Sequence, residues 1–278
     1  MQITLNTGAQ MPQLGFGTYK VDPKDTVEVV LQALELGYRH IDTAQMYQNE
    51  AEVGIALKES GIPREEIFLT TKLNNSNHLA EDARRSFAQS LEKLGVDYVD
   101  LFLMHWPLPT LYGGDYVGTY KVMEEFALDR RARAIGVSNF EPHHLVNILR
   151  ECAIKPANNQ IERHPFLSNT AAVEFCRNQE ISVTAWSPLA RGNVFGDETL
   201  AQIAAKHEAT LSQVALAWQL QAGICVIPKA STKDRQLENL QATQLVLDAE
   251  DIAIIDSLNK GEYGRTGTHP DEMDRIPN

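Results

Sequence analysis

Residues 98–106 read YVDLFLMHW and are apolar at nearly every position. A strand with one face in water alternates apolar and polar residues, whereas a parallel strand covered on both faces carries an almost continuous apolar run. The stretch therefore predicts a central strand of a parallel sheet, with His105 at its carboxyl end.

Seven further short segments share this character, and a stretch with helical periodicity follows each strand. The eight predicted strands are LGFGTYK (14–20), HIDTA (40–44), IFLTTKL (67–73), YVDLFLMHW (98–106), AIGVSN (134–139), NNQIE (158–162), SVTAWS (182–187) and ICVIPKA (224–230). Eight β-α units in one chain of this length predict an α/β fold, a (β/α)8 TIM barrel. Ile3 and Leu5, followed by Asn6-Thr7-Gly8, predict an N-terminal β-hairpin ahead of the barrel.

An open, doubly wound sheet is the competing architecture. It would place GxGxxG after the first strand, but Gly15-Phe16-Gly17 is followed by Thr18, Tyr19 and Lys20. A GxxxxGK[ST] loop is also missing, which argues against a P-loop enzyme. Because no composition shift or low-complexity linker divides the chain, we expect a single domain over residues 1–278.

The composition is that of an ordinary folded protein, with 43% hydrophobic and 22% charged residues. Its 25 Lys and Arg against 37 Asp and Glu give a net charge of −12, which repels nucleic-acid phosphates and anionic lipid. Three cysteines without CxxC spacing predict neither a disulfide framework nor a zinc knuckle. With no signal-peptide pattern and no long apolar run, we expect a cytoplasmic protein without nucleic-acid or membrane partners.

Polar side chains gather at the predicted carboxyl ends of strands two, three and four, where barrel enzymes place their chemistry. They are Asp42, Tyr47, Lys72 and His105. A phenol becomes an effective acid when its pKa of about 10 is brought down, so we expect Lys72 to lower the pKa of Tyr47, with Asp42 keeping the ammonium charged. His105 would then orient a carbonyl oxygen. Taken singly, such residues are more often helix caps, ion pairs or core polar groups.

Motifs along essentially the whole chain resemble those of the aldo-keto reductase superfamily. They are LGFGTYK, GYRHIDTAQMYQNE, GIPREEIFLTTKL, VDLFLMHWP, AIGVSNF, NNQIERHP and IPKAST, in family order. Arg235, Glu238 and Asn239 complete the pattern. Within the family, the chain is most similar to the short prokaryotic branch of 2,5-diketo-D-gluconate reductases, and the tail GRTGTHPDEMD adds to that likeness.

The resemblance implies that the four strand-end residues are the catalytic tetrad and that the protein is a monomer. It also implies NADPH, bound across the barrel mouth without a Rossmann fold. The implied cofactor-binding residues are Ser138, Asn139, Gln160, Trp186, Ser187, Leu189, Lys229, Ser231, Thr232, Arg235, Glu238 and Asn239. Among them, Ser138, Asn139 and Gln160 would hold the carboxamide, and Trp186 would stack on the nicotinamide ring.

Lys229, at the end of strand eight, and Arg235, in the first turn of the next helix, form a local cationic site in an acidic chain. An ammonium and a guanidinium group suit a 2′-phosphate, which favours NADPH over NADH. Ala230 stands where the family often has Ser. Ser231 and Thr232 therefore either contact the phosphate in its place or cap the helix.

Tyr19, Asn74 and Trp106 are the predicted substrate-pocket residues. Relatives often carry Trp at the position of Asn74, so we expect a wider and more polar pocket here. Segments 107–117, 188–197 and 261–278 are candidate lids. Arg191, Arg265 and His269 are the candidate anchors for a substrate carboxylate.

These features predict an NADPH-dependent oxidoreductase that reduces aldehydes or ketones to alcohols. The favoured substrate is 2,5-diketo-D-gluconate or a related sugar keto-acid, and the alternative is methylglyoxal or another aldehyde. Two other classes stay open: a metal-dependent barrel hydrolase with Asp42, His105 and His164 as ligands, and a non-catalytic regulatory protein that binds NADPH. The tetrad favours the reductase, and we assign no metal.

Overall fold

An antiparallel hairpin precedes the barrel in the computed structural model, which describes residues 1–276. Its strands are β1 (Gln2–Thr4) and β2 (Gln10–Pro12). Gly8 turns the chain with a φ of +84°, in the left-handed region that glycine tolerates best. Leu5 and Met11 pack against Phe68, the first residue of a barrel strand. The predicted hairpin is confirmed, and it lies at the amino ends of the barrel strands.

Eight parallel strands follow the hairpin. They are β3 (Phe16–Gly17), β4 (His40–Asp42), β5 (Phe68–Leu73), β6 (Leu101–Met104), β7 (Ile135–Ser138), β8 (Asn158–Glu162), β9 (Ser182–Trp186) and β10 (Cys225–Val226). Each strand pairs with the next in chain order. Leu14 bridges Val226, and the Gly17 N–H donates to the Pro228 carbonyl at 3.2 Å, so the first and last strands meet. A Cβ at Gly17 would lie 2.7 Å from the Ile227 carbonyl oxygen, which explains glycine at this junction.

Within residues 1–276, ten helices accompany the strands. They are α1 (Pro23–Glu35), α2 (Glu50–Glu59), α3 (Ala80–Leu94), α4 (Tyr116–Leu128), α5 (Pro142–Glu151), α6 (Thr170–Asn178), α7 (Glu198–Lys206), α8 (Leu211–Gln221), α9 (Lys233–Gln241) and α10 (Ala249–Asp256). The (β/α)8 barrel predicted from the sequence is confirmed. The sequence predicts one helix after each strand, and the structure adds two more, α7 and α10. They pack with α8 around Trp218 in a satellite core.

The sequence of α1 shows why these segments become helices. Asp22 caps the helix by accepting a hydrogen bond from the Lys24 N–H at 3.1 Å, and Pro23 fits the first helical position. Val30 and Leu34, one turn apart, are buried against the barrel. The helix thus begins at a cap and buries one apolar face.

Aromatic packing supports the strand that carries His105. Phe102 of β6 lies 4.2 Å from Phe87 of α3, centroid to centroid, and Phe87 lies 4.5 Å from Phe126 of α4. All three rings are fully buried. Truncating one of them to Ala would cost about 3–5 kcal/mol of stability, because the cavity left behind loses both burial and contacts.

The three predicted lid segments contain short 3-10 turns. These turns span Tyr112–Gly114, Ala190–Gly196, Gly261–Gly264 and Pro270–Glu272. The predicted tail ends at residues 277 and 278, which lie outside the described residues. Within residues 1–276, no helix is both long and apolar enough to cross a bilayer.

Candidate active site

A buried ion pair lies at the carboxyl ends of β4 and β5. Lys72 is fully buried, and its Nζ donates to Asp42 Oδ1 at 2.5 Å, to the Thr43 carbonyl at 2.9 Å and to the Tyr47 hydroxyl at 3.2 Å. The other carboxylate oxygen of Asp42 accepts from Gln160 Nε2 at 2.8 Å. Parallel register places Asp42 beside Thr70, two residues before Lys72. The predicted Asp42, Tyr47 and Lys72 therefore lie in one hydrogen-bonded group.

Tyr47 lies on a 3-10 turn, Gln45–Tyr47, that directly follows β4. Its ring centre is 5.8 Å from that of His105 and 5.1 Å from that of Tyr19. Tyr47 is half-buried, so its ring is reachable from the barrel mouth. His105 is thus in contact with the hydroxyl-bearing ring, and the four strand-end residues are together as predicted.

Gln45, which was not predicted as a site residue, fixes the turn that carries Tyr47. Its Oε1 accepts from the Asn74 N–H at 2.8 Å and from Asn77 Nδ2 at 3.0 Å, while its Nε2 donates to Ser90 Oγ at 3.0 Å. The turn is therefore tied to the end of β5 and to α3. The available signal was its position two residues before Tyr47 in a polar strand-end run.

The pKa of Tyr47 is shifted in the direction opposite to the predicted one. Burial raises the pKa of this phenol well above its usual value, and the negative charge of Asp42 adds to the shift. The predicted lowering of the Tyr47 pKa below its usual value is wrong for the resting site, where desolvation of the phenolate is the largest cause of the shift. Tyr47 is consequently protonated at neutral pH and available as a donor.

His105 is buried and neutral. Burial lowers the pKa of its imidazole well below the usual value, and the charge of Lys72 lowers it further. A neutral imidazole keeps one N–H donor and adds no second positive charge beside Lys72. Its Nδ1 has no hydrogen-bond partner among residues 1–276. These properties suit a group that donates a hydrogen bond to an oxygen.

The residues predicted to hold the carboxamide form a network beside this group. Ser138 Oγ donates to the Gln160 carbonyl at 2.8 Å, and Asn139 Nδ2 donates to the His105 carbonyl at 2.9 Å. Trp186 Nε1 donates to Asn139 Oδ1 at 2.7 Å. Asn139 holds a φ of +63°, a left-handed conformation that costs energy and recurs at functional sites. The four predicted residues are thus brought together, with Gln160 also engaged by Asp42.

Glu162, which was not predicted as a site residue, holds the carboxyl-terminal tail beside Trp186. Glu162 Oε1 accepts from the Thr266 N–H at 2.7 Å, and Oε2 accepts from the Gly267 N–H at 3.0 Å. A Cβ at Gly267 would lie 2.5 Å from Trp186 Cη2, so only glycine lets the tail approach the indole this closely. A carboxylate at the end of the buried strand NNQIE was the available signal.

The predicted phosphate-binding residues lie apart from the tetrad and are exposed. Lys229 Nζ donates to Ser231 Oγ at 2.8 Å, and Arg235 occupies the first turn of α9. In the described part of the chain, no carboxylate lies within 4.0 Å of either cation. Thr232 stands at the N-cap without making a side-chain cap bond, so its hydroxyl is free of that role.

The remaining predicted cofactor residues lie in two segments. Ser187 and Leu189 follow β9, and Ser187 has a φ of +47°. Glu238 and Asn239 lie on α9, where Glu238 Oε1 already accepts from Thr210 Oγ1 at 2.7 Å.

The predicted substrate residues line the mouth around Tyr47. Trp106 is buried in a cluster with Leu108 and the tail residue Met273. Tyr19 is 45% exposed and lies against the Tyr47 ring. Asn74 is half-buried, and its Oδ1 has no protein partner among residues 1–276. Tyr19 thus provides an aromatic wall beside Tyr47, whereas Asn74 Oδ1 is buried away from solvent.

Two of the three candidate carboxylate anchors are engaged by acidic residues. Arg265 donates to Glu262 at 2.6 Å through Nε and lies 3.8 Å from Glu141. His269 lies 3.8 Å from Asp271 and 3.9 Å from Glu262. Arg191, the third, is exposed. Arg191 is thus the one candidate anchor of the three that no carboxylate engages within 4.0 Å among residues 1–276.

Comparison with known proteins decides the family. The profile of the Aldo/keto reductase family matches residues 12–260. The chain belongs to this family. The aldo/keto reductase assignment confirms the predicted oxidoreductase acting on carbonyl groups, and it disfavours a purely regulatory protein.

Relatives cover this aldo/keto reductase almost end to end. A glyoxal reductase of Bacillus subtilis is 44% identical over 273 residues, covering 98% of this chain and 96% of the relative. The methylglyoxal reductase DkgA of Escherichia coli is 39% identical, covering 98% and 97%. A crystal structure of a point mutant of Gox0644 in complex with NADPH superposes with a TM-score of 0.94, at 39% identity and 99% coverage of both chains.

The metal-dependent hydrolase alternative is wrong for this reductase. Asp42 is paired with Lys72, and His164 Nε2 lies 3.1 Å from Glu162 Oε1, so neither is arranged with His105 as a ligand set. Over residues 1–276, the metal-like grouping found is His143, His144 and Asp271, away from the tetrad.

Proposed function

We propose that this protein reduces small α-dicarbonyl compounds such as glyoxal and methylglyoxal with NADPH. The observation that carries the proposal is the Tyr47 hydroxyl, protonated and 3.2 Å from the buried Lys72 Nζ, next to a neutral His105. This arrangement delivers one proton to an oxygen and then stabilises the phenolate left behind. It is the proton-donating half of a carbonyl reduction.

The residues present fit NADPH. Exposed Lys229 and Arg235 suit the 2′-phosphate, and the helix N-terminus between them adds backbone N–H groups. Bound NADPH supplies a hydride to the carbonyl carbon. The nicotinamide end would be held by Ser138, Asn139, Gln160 and Trp186, and the rest of the cofactor by Ser187, Leu189, Ser231, Thr232, Glu238 and Asn239.

Each tetrad residue has a distinct role in this mechanism. His105 donates a hydrogen bond to the carbonyl oxygen and orients it, while Tyr47 transfers its proton to that oxygen. Lys72 stabilises the resulting phenolate through the existing contact, and Asp42 keeps Lys72 charged and aimed. Gln160 in turn holds Asp42 at 2.8 Å. Positioned proton transfer of this kind contributes roughly 10²–10⁴-fold in rate.

The substrate class rests on charge at the mouth and on the relatives. Arg265 and His269 lie against acidic side chains, so a carboxylate-bearing sugar loses two of its three candidate anchors and keeps only Arg191. The relatives named glyoxal reductase and methylglyoxal reductase act, by their names, on neutral dicarbonyls. We therefore place neutral dicarbonyls ahead of 2,5-diketo-D-gluconate, which the sequence alone favoured.

A substrate panel tests this ranking through the loss of NADPH absorbance. We expect kcat/KM for methylglyoxal and glyoxal to exceed that for 2,5-diketo-D-gluconate by about tenfold, the effect of one missing ionic contact of about 1.4 kcal/mol. The Arg265→Met variant is the matched control, and we expect it to retain this order. A wild-type preference for the keto-acid that disappears in Arg265→Met would contradict the proposal.

A further inference from the structure

A cavity of about 500 Å³ lies outside the barrel, away from the tetrad. Its walls come from the loop after β8 and from α6, α8 and α10. The side chains that matter to its chemistry are Arg163, Arg177, Glu174, Asp256, Trp218 and Asn259. We call it the Arg163 cavity.

Arg163 is a buried cation without an anionic partner. The residue is 7% exposed, and its guanidinium lies 3.9 Å from the Trp218 ring centre. Nε donates to the Ser168 carbonyl at 3.0 Å and Nη1 to Gln219 Oε1 at 3.3 Å, both neutral acceptors. Over residues 1–276, no carboxylate oxygen lies within 4.0 Å of this guanidinium, and its Nη2 donates to no protein group.

No anion contacts this charge among residues 1–276, and Asp256 acts on it only at longer range, raising the Arg163 pKa. Removing a cation from water costs several kcal/mol unless an anion pairs with it, and a cation–π contact offsets only part of that cost. Asp256, the nearby carboxylate, is committed to Trp218 Nε1 at 2.9 Å. Burial lowers the pKa of Arg163 to about 10, which leaves it charged at neutral pH. Arg163 lines the cavity, which is large enough for a small molecule.

The side chains that line the cavity restrict the chemical class of ligand that it can bind. Val173 and Ile252 provide apolar surface, while Glu174 and Asp256 add two acidic groups to the lining without contacting Arg163. The two acids would repel a multiply charged anion. A single carboxylate carries less charge, and its two oxygens match the paired N–H donors of the guanidinium. We propose that the Arg163 cavity binds a small organic monocarboxylate, with its carboxylate on Arg163 and its carbon chain against Val173 and Ile252.

The three tryptophans make a direct binding test. Trp106 and Trp186 lie at the barrel mouth, and Trp218 lies in the cavity, so their indole N–H NMR signals report separate sites. We titrate the full-length protein with butyrate and, at equal ionic strength, with the isosteric neutral amide butyramide. We expect butyrate to shift the Trp218 signal saturably, with a Kd on the order of 1 mM, and butyramide to leave it in place.

Variants connect the signal to Arg163. Arg163→Met should abolish the saturable shift, Arg163→Lys should weaken it, and Arg150→Met, on the exposed face of α5, should leave it unchanged. The proposal fails if butyramide shifts Trp218 as butyrate does, or if binding survives in Arg163→Met. Should that variant not fold, the amide comparison and Arg163→Lys decide. Because the readout is not turnover, this outcome is independent of the proposed carbonyl reduction.

Discussion

The proposed catalytic end and the proposed phosphate end of the site, which we call the catalytic end and the phosphate end, are built in opposite ways. At the catalytic end, Lys72 is fully buried and makes three hydrogen bonds, and Asp42 bonds on both oxygens. At the phosphate end, Lys229 and Arg235 are exposed, and Lys229 contacts one neighbouring hydroxyl. The protein alone fixes the first geometry, whereas a ligand must order the second. Chemistry that requires accurate placement thus lies in the core, and charge recognition lies on the surface.

Removing the Tyr47 hydroxyl should produce the largest effect. In Tyr47→Phe, the preorganised site keeps its shape but loses the only atom that passes the proton to the substrate oxygen. We expect kcat for methylglyoxal reduction to fall by about 10³-fold. NADPH binding, followed by fluorescence quenching, should stay within about twofold, since the contacts of the cofactor lie elsewhere.

Tyr98→Phe is the matched control. Tyr98 packs between Arg64 and Arg133 on a different part of the molecule, with ring distances of 4.3 and 3.7 Å. Its loss of a hydroxyl should leave kcat unchanged. Turnover in Tyr47→Phe equal to that in Tyr98→Phe would remove Tyr47 from the mechanism.

A smaller effect is expected at the phosphate end. Arg235→Ala removes an exposed cation, so the lost contact with the 2′-phosphate is worth about 1.4 kcal/mol, or tenfold. We expect the KM for NADPH to rise about tenfold and the KM for NADH to change little, with kcat preserved. Steady-state kinetics with both cofactors measures the split.

Lys233→Ala separates a specific contact from general charge. Lys233 lies on the same helix and pairs with Glu35 at 3.1 Å. Its replacement by alanine removes one positive charge, as Arg235→Ala does. We expect its KM values to stay near wild type. A parallel rise for both cofactors in Arg235→Ala would show that the arginine supports α9 rather than a phosphate.

Much of the fold was predictable because its determinants are local. All eight strands were located from short apolar runs, and Asp42, Tyr47, Lys72 and His105 followed from the rule that parallel strands end at one face. The helices α7 and α10 were not predicted, since they pack with α8 in a satellite core rather than repeating the β-α unit.

The missed parts of the site depend on distant contacts. Glu162 meets Thr266 and Gly267 more than a hundred residues away, and periodicity carries no information about such pairs. The direction of the pKa shift at Tyr47 was missed for a related reason. It depends on how completely the phenol is desolvated, which only packing determines.

The smallest expected effect concerns the protonation of His78, a buried histidine near the catalytic end, and the pH dependence of stability. His78 follows the loop after β5, is 4% exposed and stacks on Tyr112 with ring centres 5.3 Å apart. Burial lowers the pKa of His78 to about 4 from its usual 6.5. Between these two values the unfolded chain binds a proton that the folded protein does not, so the free energy of unfolding rises with pH through this window.

Replacing this histidine should therefore flatten the acid dependence of stability. Between pH 7.5 and 5.5, we expect wild type to lose about 1 kcal/mol more than His78→Phe, which keeps an aromatic ring against Tyr112. Urea unfolding at the two pH values measures the difference, and other buried histidines contribute equally to both proteins. An identical loss in the two would mean that His78 takes up its proton in the folded state. The catalytic end would then be more open to water than its burial indicates, and the contrast with the phosphate end would be weaker.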